Sequence, residues 1–193
     1  APPAMRITPD LISRSPQITN CLSQRELDLR GLQIPAIENL ASTRDAFACI
    51  DLSHNALPSL SNLPPLPGLR TLFLSHNRIA SISPSLSASI PNLHTLVLTS
   101  NRITTLRALA PLKHLTNLRV ISLLDNPVAS DPDCRKTLLK LCPALRWVDF
   151  RRVPDAERNA ARAFWQAEAG RRRWEAEFAD ADAEAAAAAA AAA

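Results

Sequence analysis

The 193-residue chain lacks most of the signals by which function is usually read. It has no run of about 18 apolar residues, so no membrane-spanning helix is expected. Its four cysteines, Cys21, Cys49, Cys134 and Cys142, show no C-x-x-C spacing. That favours free, buried thiols in a reducing compartment over disulfides or zinc. No nucleophile elbow or Ser–His–acid arrangement is present, so no enzyme is expected. Aromatic residues make up only 4%, and there is no RNP motif, zinc finger or stacking platform. Nucleic-acid contact is therefore expected only as an auxiliary, at the phosphate backbone. The net charge of +4 is mild. The stretch after Met5 is polar and contains proline, unlike a signal peptide. Residues 1–4 (APPA) read as a cloning scar.

What the chain does have is repetition. Asn55, Asn77, Asn101 and Asn126 recur at steps of 22, 24 and 25 residues. Leu69, Leu72, Leu74, Asn77 and Ile79 spell L-x-x-L-x-L-x-x-N-x-L. The pattern returns with Leu93 to Ile103 and Leu118 to Val128, and with Phe47 in the first place from Phe47 to Leu57. This is the leucine-rich repeat signature, and the fold class it predicts is an α/β solenoid. Period-2 apolar pairs such as Leu72 and Leu74 point to one face of a strand, and stacked units share one core. The Asn amide is expected to satisfy backbone groups of neighbouring turns.

Two weaker copies flank the four as caps. Leu27, Leu29, Leu32 and Ile34 carry Leu32 in the Asn place; Leu145, Val148, Phe150 and Val153 carry Val153 there. About six parallel strands are predicted on the concave face. Short helices or 3₁₀ turns are predicted on the convex face, after Asn55 (Leu57, Leu60, Leu63), after Asn101 (Ile103, Leu106, Leu109) and between Pro84 and Pro91. Helices are expected to start at Thr8-Pro9-Asp10, at Asp131-Pro132 and near Pro154. The domain is read as 5–165, followed by a helical, Ala-rich tail over 166–193 whose nine terminal alanines carry no pattern.

Strand positions between the core residues face the concave side. Glu26, Asp28 and Asp51, with Arg30 among them, make one end acidic; Phe73, Val97 and Leu124 make the middle apolar; Trp147, Arg151 and Arg152 end it aromatic and basic. An exposed apolar stripe of this kind marks a protein partner. Six strands at about 4.8 Å give a trough about 24 Å across, the length of a helix of about 16 residues. His54 and His76 fall in the same repeat position but lack further ligands, so no metal or cofactor is expected. For Arg171, Arg172 and Arg173 a solvated helix face is favoured over an RNA site.

The stretch RELDLRGLQIPAIENLAS (25–42) is similar to the A-prime protein family of the spliceosomal U2 small nuclear ribonucleoprotein. MRITPDLI (5–12), NPV (126–128) and CPALRWVDFRRV (142–153) share the resemblance, which runs from Met5 to Trp165. It implies a nuclear, non-catalytic component for pre-mRNA splicing. Such a protein takes a helix of the RRM-containing B-double-prime protein against its concave sheet, and the pair holds a stem-loop of U2 snRNA among other spliceosome proteins. Glu26, Asp28 and Asp51 would then face basic RRM residues, and Arg151 and Arg152 the RNA. Arg152 stands where the family often has Lys. The competing reading is a phosphatase-regulator-type repeat adaptor, which also works through its concave face.

Overall fold

The computed structural model describes residues 5–180. The expected scar at 1–4 and the alanines at 185–193 lie outside the described residues. Six parallel strands form the concave sheet: β2 (Arg25–Asp28), β3 (Cys49–Asp51), β5 (Thr71–Phe73), β7 (Thr95–Val97), β8 (Val120–Ser122) and β9 (Trp147–Val148). The sheet has eight strands, because antiparallel β1 (Gln17–Thr19) closes one edge and β10 (Arg151–Arg152) the other. Among the described residues no helix is long and apolar enough to cross a membrane.

Every Leu and Ile at the consensus positions of the four full repeat copies is buried: Leu69, Leu72, Leu74 and Ile79 are all 0% exposed. Each such side chain contributes on the order of 1.5–3 kcal/mol by leaving water. The asparagines join consecutive turns. Asn77 Nδ2 donates to the carbonyls of Leu74 (3.0 Å) and of Leu52 in the preceding repeat (2.9 Å), and its Oδ1 accepts from Leu57 N–H at 3.1 Å. Asn55, Asn101 and Asn126 make the same bonds one repeat earlier or later. Each Asn thus holds its own turn and reaches back to a preceding one. The first repeat has no such turn, which explains why Leu32 can stand in the Asn place.

Each Asn follows a left-handed residue: His54, His76, Ser100 and Asp125 have φ of 55–58°, and Gly31 holds the place before Leu32 at 70°. The chain has only three glycines. Polar side chains therefore carry most of these turns, at a cost of about 1–2 kcal/mol each relative to ordinary backbone.

The convex side is mixed. The 3₁₀ segment Arg107–His114 and α2 (Leu86–Ser89) are helical as expected. After Asn55 the expected turn is absent: β4 (Ser59–Leu60) is extended and pairs in parallel with β6 (Ser81–Ile82). Pro58, Pro64 and Pro65 crowd that segment; proline removes an N–H and disfavours helix in the residue before it.

Helical caps close both ends. The Thr8 hydroxyl accepts from Leu11 N–H at 3.1 Å and starts α1 (Pro9–Arg14). At the other end α3 (Cys134–Leu141) lays Cys134, Leu138, Leu141 and Cys142 over the core. Its N-cap is Asp133 rather than Asp131, whose carboxylate accepts from Asp133 N–H at 2.8 Å just before the helix begins. α4 (Asp155–Gln166) packs on α3, where Trp165 Nε1 donates to Lys136 O at 3.0 Å. α5 (Glu168–Phe178) folds back so that Trp174 meets Trp165 edge-on at 5.3 Å. Arg173 is drawn into ion pairs with Asp131 and Asp133, and Arg172 pairs with Glu168.

The terminal repeat departs from its expected pattern. The chain reverses after Val148 through a two-residue turn, Asp149 and Phe150, with φ of 52° and 60°. Positive φ at both positions is the type I′ hairpin geometry. Phe150 is therefore 64% exposed at the tip, not buried in the core.

Candidate functional site

Strand register sorts the concave residues into rows. Asp28, Asp51, Phe73, Val97 and Ser122 stand side by side. A second row runs through Glu26, Cys49, Thr71, Thr95, Val120 and Trp147. The antiparallel edges lengthen that row, since Ile18 pairs with Glu26 and Arg152 with Trp147. Arg151 pairs with Val148, a core residue, so its side chain leaves on the opposite side from Arg152. The two arginines grouped in the sequence are split by the structure.

The acidic end is largely answered from within. Arg30 grips Asp28 through Nη2 at 2.6 Å and Nε at 2.9 Å, and reaches Asp51 at 3.6 Å. The hydrogen bond from Arg30 holds the Asp28 carboxyl below the usual range, and burial opposes it only in part. Arg30 is raised in turn, first by that bond. Glu26 receives a bond from Asn20 Nδ2 at 3.4 Å. Cys49 beneath them is 1% exposed, and burial, then the neighbouring Glu26, pushes its thiol up. It is a core thiol and no nucleophile.

The apolar stripe is broken. Phe73 is half-buried and Leu124 is 39% exposed, but Val97 between them is 8% exposed and forms floor rather than contact surface. Trp147 is 44% exposed. Beside it the loop carries Phe150, which the repeat frame had concealed, and at the far edge stands Ile18, 49% exposed on a strand without a repeat signature. The accessible apolar residues thus lie toward the two edges as well as at the centre.

Asp149 also carries no signal in the repeat pattern. In every earlier repeat the residue after the strand donates its N–H to the next strand's carbonyl, as Leu98 does to Ser122 O at 2.9 Å. Leu123 N–H instead donates to Asp149 Oδ1 at 2.7 Å, so a side chain ends the ladder where the hairpin turns away.

Among the described residues no group of three or more His, Cys, Asp or Glu could hold a metal ion. His54 and His76 stack at 4.4 Å, near the strand spacing that sets repeats side by side. Ser53 and Ser75 precede them in the sequence. The face offers an open sheet with accessible side chains at Phe73, Leu124 and Trp147.

Comparison with known proteins agrees with this geometry. A family model described as leucine-rich repeat matches residues 4–176. The chain is 42% identical over 167 residues to the U2 small nuclear ribonucleoprotein A' of Mycosarcoma maydis, covering 86% of this chain and 68% of that one. With the Aspergillus fumigatus protein of the same name the identity is 45% over 158 residues, covering 82% and 62%. With the human protein it is 39% over 166 residues, covering 86% and 65%. The chain therefore spans between 62% and 68% of the length of these relatives. It also resembles a chain in the crystal structure of the Drosophila melanogaster SNF/U2A' complex, with a TM-score of 0.85 and 45% identity over 89% of this chain and 98% of that one. Repeat frame, capped sheet and sequence together place this chain in the U2 small nuclear ribonucleoprotein A' family of leucine-rich repeat proteins.

Proposed function

We propose that the protein is a non-catalytic, nuclear component of the U2 ribonucleoprotein that binds an RRM protein of the B-double-prime kind through its concave sheet. The pair helps hold a U2 snRNA stem-loop for splicing. The observation that carries this reading is the open sheet itself. Phe73, Leu124 and Trp147 stay accessible in a trough bounded by carboxylates at one end and Arg152 at the other. A similar chain forms part of a two-protein complex in the SNF/U2A' structure, which supports a protein partner here. Glu26, with Asp28 and Asp51 partly neutralised by Arg30, makes the acidic contacts; the basic edge is the RNA contact.

Phe73→Asp tests it. Phe73 lies at the centre of the trough, where a truncated anchor typically costs about 2 kcal/mol or more, about thirtyfold in affinity. Calorimetry against the RRM protein is expected to show at least that loss, with a melting temperature close to wild type because Phe73 is half-exposed. Full affinity would remove the trough as the interface. Purification from nuclear extract separates the classes: U2 snRNA with an RRM protein sustains the reading, and a phosphatase catalytic subunit replaces it.

A further inference from the structure

We infer that the cleft between α3 and α4 is a second docking site, one that takes an acidic protein segment by an apolar anchor side chain. The cleft encloses about 290 Å³ and shares no residue with the concave face. Leu139, Pro143 and Trp165 give it apolar walls, and Lys140, Arg158 and Arg162 surround them. No carboxylate lines it.

Several cations around the cleft are paired instead. Arg135 is answered by Glu157, Lys136 by Asp133, Arg172 by Glu168, and Arg173 by Asp131 and Asp133. The three cations of the cleft have no such partner among the described residues. Lys140 Nζ sits 3.5 Å above the Trp174 ring and 5.2 Å from that of Trp165, and burial lowers its pKa. Arg158 donates to the carbonyls of Pro143 and Leu145, both at 2.6 Å, which fixes its position and leaves its charge. Arg162 is exposed at the rim. Three positive charges line a mostly apolar cleft, where a carboxylate gains more than it does in open water.

Size and ring access choose the partner. The volume lies just under the range of about 300–1,000 Å³ typical of small-molecule sites, which suits one large side chain from a peptide. Single-stranded RNA would need an open aromatic face for base stacking. Trp165 offers none: it is 4% exposed, with Phe164 and Trp174 packed edge-on at 4.9 and 5.3 Å.

The test uses the full chain and a fluorescein-labelled peptide with one Phe flanked by Asp and Glu residues, followed by anisotropy. Saturable binding is expected, at least tenfold weaker for a twin peptide carrying Asn and Gln, and at least tenfold weaker for Arg162→Glu. Arg162 is exposed, so an unchanged melting temperature shows that the variant folds. Phe73→Asp is expected to leave this peptide's affinity unchanged, which separates the cleft from the concave face. Equal affinity for the acidic and amide peptides, or no effect of Arg162→Glu, overturns the inference. So does displacement of the peptide by a uridine-rich oligonucleotide that itself depends on Arg162.

Discussion

At the scale of single residues, two polar groups hold what the leucines cannot. Asn77 satisfies three backbone groups of two turns while only 7% exposed. Asn77→Leu adds apolar surface but leaves those groups buried and unpaired, at about 1–3 kcal/mol for each one left bare. For a domain of this size 1 kcal/mol is about 2–4 °C, so thermal unfolding is expected to fall by about 5–10 °C. A melting temperature at or above wild type would refute the ladder as a source of stability. Asp28 is the second case. Its folded pKa is depressed by Arg30, so its stabilisation is complete above the unfolded value of about 3.9 and disappears as pH falls through the lower folded value. The difference in melting temperature between wild type and Asp28→Asn is expected to be constant near neutrality and to close below about pH 4. A gap that does not narrow at all as the pH falls below about 4 would show that the carboxylate's charge is not what matters. The asparagines were legible in the sequence because their offsets are fixed. Asp149 was not, because it does the ladder's last job from a hairpin turn outside the repeat frame.

At the scale of elements, apolar spacing proved weaker than backbone chemistry. Leu57, Leu60 and Leu63 have the same three-residue steps as Ile103, Leu106 and Leu109, yet the first set runs extended and only the second enters a 3₁₀ segment. The prolines around the first set decide the matter, since periodicity alone cannot report a missing donor. β1 and β10 were illegible for a related reason. They are three and two residues long and their side chains are exposed, so neither shows the alternation that marks a strand. The joint between α4 and α5 depends on a close approach: a Cβ at Gly170 would lie 2.1 Å from the carbonyl oxygen of Phe164. Backbone cannot yield as a flexible side chain can, so Gly170→Ala is expected to cost about 1–3 kcal/mol, as overpacking does, and to lift α5 off its seat. Trypsin should then cut at Arg171 to Arg173 several-fold faster while the repeat core melts nearly as before. Unchanged protection of α5 would mean that the joint tolerates the methyl group.

At the scale of the whole molecule, the eight-stranded register gives the basic edge a direction that the sequence could not. Arg151 and Arg152 are adjacent in the chain, but a strand sends successive side chains to opposite faces. Arg152 joins the row of Trp147, and Arg151 opposes Val148 on the core side. An RNA held jointly with a protein seated in the trough must approach from the concave side. On the proposed function, Arg152 is then the phosphate ligand and Arg151 stands outside it. Removing one arginine–phosphate pair flattens the dependence of log affinity on log salt by about 0.7–0.9. With the RRM protein bound, Arg152→Glu is expected to weaken binding of the stem-loop and reduce that slope by about 1. Arg151→Glu should leave the slope near wild type, and neither change should disturb the protein–protein affinity. Equal effects of the two substitutions would show that the RNA wraps the edge of the solenoid rather than lying along its concave rim.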